Sequence, residues 1–178
     1  MLVVHIARVA SLLIVITLVT SAPIRADPAP GPRLRLTEPR LRAILDVGRR
    51  ESPLFRALVD QLETGDVVVY VQCARLRTRL DGELTFLTKA AGVRYVMVRI
   101  AWDLPLPRKI AILGHELQHA LEIAGSPDVV SAATLAAAYE RFGFTRNRGY
   151  DRLDFDSIAA IETGMTISRQ LAERDDGE

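Results

Sequence analysis

The chain has 178 residues, 23 basic against 22 acidic side chains, a formal charge of +1 and 49% apolar residues. That balance carries no electrostatic footprint for nucleic acid, and the length suits one domain with an adequate core. The single cysteine, Cys73, excludes an intrachain disulfide.

Residues 1–26 read as a secretory signal peptide. Val9 to Val19 is an apolar core too short for a comfortable membrane span, preceded by a weak basic region at His5 and Arg8. Ala26 offers a small residue at the cut, which predicts a secreted or periplasmic protein with no stable membrane span after cleavage. Arg25 beside the cut leaves an uncleaved N-terminal membrane anchor as the alternative. Cleavage removes Arg8 and Arg25 and no acidic residue, so the mature balance turns slightly acidic. Residues 27–36, rich in proline, read as a linker, and residues 37–178 as a single domain.

Thr37 and Pro39 open a predicted helix that reaches about Arg50. Ser52-Pro53 opens a second, which Gly65 ends. Val67 to Val71 is a β-branched run and reads as a buried strand. Glu83 to Thr88, after an Asp81-Gly82 turn, and the alternating stretch Val93 to Trp102 read as two more strands. A long apolar helix follows, opened by Pro105 and Pro107 and closed by Gly125. Ser126-Pro127 begins another helix to about Arg141, Phe142 to Arg152 reads as a loop, and a last helix runs from about Asp154 to Glu173. Helices, a small three-stranded sheet, then helices make an α+β arrangement.

The long helix contains His115-Glu116-Leu117-Gln118-His119, an HExxH motif that holds two of the three histidines in the chain. Residues four apart lie on one helical face, one turn apart, so the two imidazoles can grip one metal ion. Two neutral imidazoles suit Zn²⁺, and Glu116, adjacent to the first, can take a proton from a water on that metal. The plainer reading is an amphipathic core helix with two hydrogen-bonded histidines.

Over Ile112 to Ala124 the sequence resembles the HExxH zinc metallopeptidases, the zincins. The longer string Gly114 to Glu122, with the later Glu162-Thr163 pair, also resembles a group of uncharacterised secreted bacterial proteins. The zincin resemblance implies His115 and His119 as zinc ligands, Glu116 as general base, and a minimal zincin-like fold with a small sheet packed on the active-site helix. It further implies a sheet edge that holds extended substrate by strand addition, which falls to Val93–Trp102 or Glu83–Thr88.

A catalytic zinc needs a third protein ligand. The metzincin pattern fails, because residue 122 is Glu in place of Gly and residue 125 is Gly in place of His. The only other histidine, His5, lies in the signal peptide. A carboxylate, as in the gluzincin branch, is therefore expected. Glu162 is the leading choice, since a Glu in the apolar stretch from Asp156 to Thr163 is expensive to bury unless paired or bound to metal. Glu140, 21 residues after His119, is an alternative. Glu122 is another and could instead orient an imidazole. Asp128 is the last, and could be only a helix-dipole partner. The gluzincin Asp four residues after the ligand Glu is missing: Thr166 follows Glu162, and Phe144 follows Glu140.

Tyr139 and Tyr150 are candidates to stabilise an oxyanion, or simply buried tyrosines. Arg146-Asn147-Arg148 reads as a solvated loop or a contact for an acidic substrate end. The basic run Arg75 to Arg79 lacks aromatic interleaving, and Cys73 reads as a small buried hydrophobe. The expected function is an exported zinc-dependent metallohydrolase, a peptidase acting on a peptide or protein substrate through a zinc-bound water activated by Glu116. The alternative is a non-catalytic exported zinc-binding or partner-binding domain that keeps the HExxH helix for structure.

Overall fold

In the computed structural model the chain is described over residues 31–76, 80–148 and 153–175. The elements run β1 (Leu34–Leu36), α1 (Leu41–Glu51), α2 (Pro53–Glu63), β2 (Val67–Ala74), β3 (Gly82–Ala90), β4 (Val93–Ala101), α3 (Leu106–Ala124), α4 (Ala132–Phe142), β5 (Phe144–Arg148), β6 (Leu153–Asp156) and α5 (Ile158–Asp175). The segment expected as a signal peptide lies outside the described residues. Among the described residues, no helix is long and apolar enough to cross a membrane.

The α+β class holds, with a larger sheet than the sequence predicts. Four strands stand in the order β1-β2-β4-β3, and β5 and β6 form a separate hairpin. β1, β2 and β4 are parallel, while β3 returns antiparallel to β4. The β3–β4 connection is the two-residue turn Ala91-Gly92, with φ of 49° and 79°. Positive φ at both central positions matches the right-handed twist of the flanking strands. β4, the stretch Val93–Trp102 less its last residue, lies between β2 and β3 and has no free edge. Of the two candidate edges, only β3 is one.

Alternation along the strands puts Val67, Val69 and Val71 of β2 beside Val96 and Val98 of β4, on the face that packs against the helices. Leu34 of β1 and Phe86 of β3 extend that face. β1 falls inside the expected linker. It is only three residues long, and its place is held by pairing with β2 and by the Glu63 carboxylate, which accepts the Arg33 N–H at 2.8 Å. Thr37 does not cap α1: its hydroxyl and its N–H both donate to the Val71 carbonyl, at 2.9 and 3.0 Å, so the helix starts later, at Leu41.

α3 is the spine of the helical layer. It lies against β2, β3 and β4, and α1, α2 and α5 pack on it. Its two ends are held differently. Pro105 and Pro107 begin it, where missing N–H groups leave no helical bond unmade. At the far end the buried Arg94 donates to the carbonyls of Ile123 (2.5 Å), Ala124 (3.2 Å) and Ser126 (2.7 Å), and pairs with Asp66 through two nitrogens. A guanidinium there satisfies orphan carbonyls and complements the negative end of the helix dipole.

α5 comes close to α3 through small residues. A Cβ on Gly164 would lie 3.4 Å from the His115 Cβ, and Gly114 is covered by the buried Ile167. The buried positions of α5, namely Ala160, Thr163 and Ile167, follow helical spacing.

Arg94→Met should lower stability by about 2–3 kcal/mol, because it strands the buried Ile123 carbonyl and unpairs the part-buried carbonyls of Ala124 and Ser126. Urea denaturation checks this as a fall in the midpoint with the slope unchanged.

Candidate metal centre

His115 and His119 stand one turn apart on α3, their rings 4.9 Å between centroids and nearly perpendicular. Both present Nε2 to one carboxylate oxygen. Asp156 Oδ1 lies 3.3 Å from His115 Nε2 and 3.5 Å from His119 Nε2. Asp156 is the last residue of β6, and the next residue, Ser157, caps α5 by accepting the Ala160 N–H at 3.0 Å. The β5–β6 hairpin therefore carries the chain from α4 back to this point. Gly143, at the end of α4, permits the approach: a Cβ there would fall 2.7 Å from the Asp156 carbonyl oxygen.

The three donors lie within 4.8 Å of one another and could hold a metal ion. Their spacing fits that role. Two donors each about 2.1 Å from a common ion, at a tetrahedral angle, stand about 3.4 Å apart. The two nitrogen–oxygen separations bracket that figure. The set is also nearly dry: Asp156 is 1% exposed, and the side chains of His119 and His115 are 7% and 14% exposed.

Electrostatics in the cluster follow from burial and pairing. For Asp156, burial alone would favour the neutral acid, but the hydrogen bonds to His115 and His119 outweigh it and hold the carboxyl well below the usual range. Burial would likewise push His119 down. Its bonds to Asp156 and Glu122 win, and in the metal-free chain they raise it to about 9. Glu116 is buried beside the pair, with its carboxylate packed against Gly82 at the start of β3. Burial raises it, and the nearby histidines only partly offset this.

Behind His119, Nδ1 lies 2.9 Å from Glu122 Oε2 and 2.7 Å from the Tyr139 hydroxyl. That hydroxyl also donates to Glu122 Oε2 at 2.9 Å, and Ser157 Oγ donates to Glu122 Oε1 at 2.5 Å. Glu122 is lowered: burial opposes ionisation, and the bonds to His119, Ser157 and Tyr139 overcome it.

The carboxylate brought to the histidines is thus Asp156, and Glu162 stands outside the cluster. Glu162 is exposed, two positions round from Ala160 and one from Thr163, off the buried stripe of α5. Ile158, one of the apolar neighbours that made it look interior, is itself 66% exposed on that outer side. Glu140 is also exposed, and Asp128 pairs with Arg141 at the surface, 2.7 Å away. Ser131 rather than Ser126 caps the helix that follows α3. Tyr139 turns its hydroxyl to the rear of His119, away from Asp156, and Tyr150 lies outside the described residues. Arg146-Asn147-Arg148 belongs to β5 rather than to a loop. Cys73 is buried at the end of β2, where burial raises its thiol. Asp156 had one signal in the sequence: Asp-Ser directly before an apolar helical run marks a helix start, which places the Asp in the turn and not on the helix.

The chain matches no protein-family model, no curated protein and no solved structure.

Two outcomes follow. Titration of purified variants with divalent metal ions should show binding abolished or much weakened by His119→Ala and by Asp156→Ala, and retained by Glu162→Ala. The second concerns pH. Since His119 sits near 9 in the folded metal-free chain against an ordinary 6.5, its proton stabilises the fold fully below about pH 6.5. That stabilisation should disappear as the pH rises through about 9. Asp156, held below its ordinary 3.8, adds stability above that value which is lost on further acidification. Thermal melts of the metal-free chain across this range check both arms.

Proposed function

We propose that this chain is an exported zinc-dependent hydrolase that cleaves peptide bonds. The observation that supports it most is the convergence of two imidazole Nε2 atoms and the Asp156 carboxylate, with the Glu116 carboxyl buried in their field. Two nitrogens and one carboxylate oxygen are a donor set that zinc takes, and the three donors found among the described residues leave a position open for chemistry. When bound, zinc supplies Lewis-acid chemistry, lowering the pKa of water and polarising a carbonyl.

The residues of the chain divide the remaining work. His115 and His119 each offer the Nε2 lone pair, and Asp156 supplies the negative charge. Glu116 is the group that moves a proton: its carboxylate takes one from the attacking water and returns it to the leaving nitrogen. Gly82 leaves room for it, since a Cβ there would sit 2.7 Å from Glu116 Oε1. β3, whose first residue is Gly82, is the sheet's edge strand on this side and offers main-chain groups to an extended substrate.

One observation favours a second reading. The donors are almost fully enclosed, with only the His115 side chain above a tenth exposed. An enclosed site suits a zinc that holds the fold together in a non-catalytic exported domain.

The zinc form should release fragments from an unfolded protein substrate, and Glu116→Gln should cut the rate by about 10²-fold or more with zinc content unchanged. Undiminished hydrolysis by Glu116→Gln contradicts the assigned proton transfer. Zinc binding with no hydrolysis of any peptide in a broad library favours the structural reading.

A further inference from the structure

We infer that Glu122 is the positioning residue of the centre, fixing from behind both His119 and the turn that carries Asp156. The inference rests on the metal reading above. One carboxylate ties three elements together. Its own helix, α3, carries the two histidines. Oε2 meets His119 Nδ1 and the Tyr139 hydroxyl of α4, each at 2.9 Å. Oε1 accepts from Ser157 Oγ, the cap of α5, and the Ser157 N–H donates to Asp156 Oδ1 at 2.8 Å. Glu122 thus reaches the third donor through a single residue.

Proton counting gives the arrangement a direction. An ionised carboxylate only accepts. The Tyr139 hydroxyl has one proton, and giving it to Glu122 leaves the phenol oxygen able to accept from His119 Nδ1–H. His119 Nδ1 then keeps its proton, and it is the Nε2 proton, shared with Asp156 in the metal-free chain, that leaves to free a lone pair for the metal. If Tyr139 instead donated to Nδ1, the neutral ring would carry its proton on Nε2 and could not bind a metal there. The negative charge of Glu122 selects the first arrangement, and partners of this kind raise ligand basicity as well as orienting the ring.

The test is zinc affinity of the full chain, measured by competition with a chromophoric chelator. Cobalt(II) absorption serves as a second readout of donor geometry. Glu122→Gln keeps shape and loses charge, and should weaken zinc about 10- to 100-fold and alter the cobalt bands. Tyr139→Phe and Ser157→Ala should each weaken it by a smaller factor. Arg94→Met, which loosens the far end of α3 without touching these bonds, should keep wild-type affinity. Wild-type affinity in Glu122→Gln overturns the inference, as does an equal loss in Arg94→Met, which would mark general destabilisation. Should Glu122→Gln not fold, Tyr139→Phe and Ser157→Ala decide, and wild-type affinity in both overturns it. A wild-type chain that binds no zinc removes the metal reading itself and this inference with it. Tight wild-type binding with an unaffected Glu122→Gln removes the inference alone.

Discussion

A carboxylate that is 1% exposed must have its charge answered by its neighbours, and Asp156 has two imidazoles to answer it. Removing an ion from water costs several kcal/mol, which only close pairing, hydrogen bonding or a metal can offset. The architecture around Asp156 brings those partners within reach. The β5–β6 hairpin returns the chain to α3, Gly143 lets it pass close to α4, and Ser157 fixes the backbone at the start of α5. The ionised Asp156 and a protonated His119 stabilise one another in the metal-free chain. A divalent ion can take over the same neutralising role.

The histidine helix needs rigidity for such a site to be ready before the ion arrives. α3 gets it from its surroundings as well as from a sequence rich in strong helix formers. Around the histidines it packs on three strands and three helices. Close packing of α5 through Gly164 places that helix beside His115, while Glu122 and Tyr139 hold His119. Each histidine is thus fixed by a different neighbour, and both Nε2 atoms point to one place. Donors held in this way lose little freedom on binding an ion, which is the physical advantage of a preorganised centre.

Much of this was legible in the sequence, and the failures have identifiable causes. The HExxH pair declares its own geometry, because a helix dictates where residues four apart must lie. The continuous β-branched run of β2 and the alternation along β4 also declared strands. β1 escaped notice because three residues among prolines carry no period, and pairing with β2 alone makes them a strand. β5 is short and reads as a loop, and most of β6 reads as the start of the last helix, which begins only at Ile158. Glu162 was placed beside the histidines through helix phase, whereas the structure brings Asp156 there. Ile158 and Ile161 precede Glu162 in its apolar stretch and suggest an interior position, yet the small residues Ala160, Thr163 and Gly164 lie on the inner side of α5. An apolar count without the phase of the stripe picked the outer side of α5. Asp156 lies at the end of β6, just before the helix, where no helical periodicity reaches.

The most direct test is an anomalous difference map at the zinc edge from crystals of the zinc-loaded chain. A single strong peak bonded to His115 Nε2, His119 Nε2 and an oxygen of Asp156, with no further protein ligand, is the expected result. A peak held by Glu162, or no peak between the two histidines at full zinc loading, would contradict it.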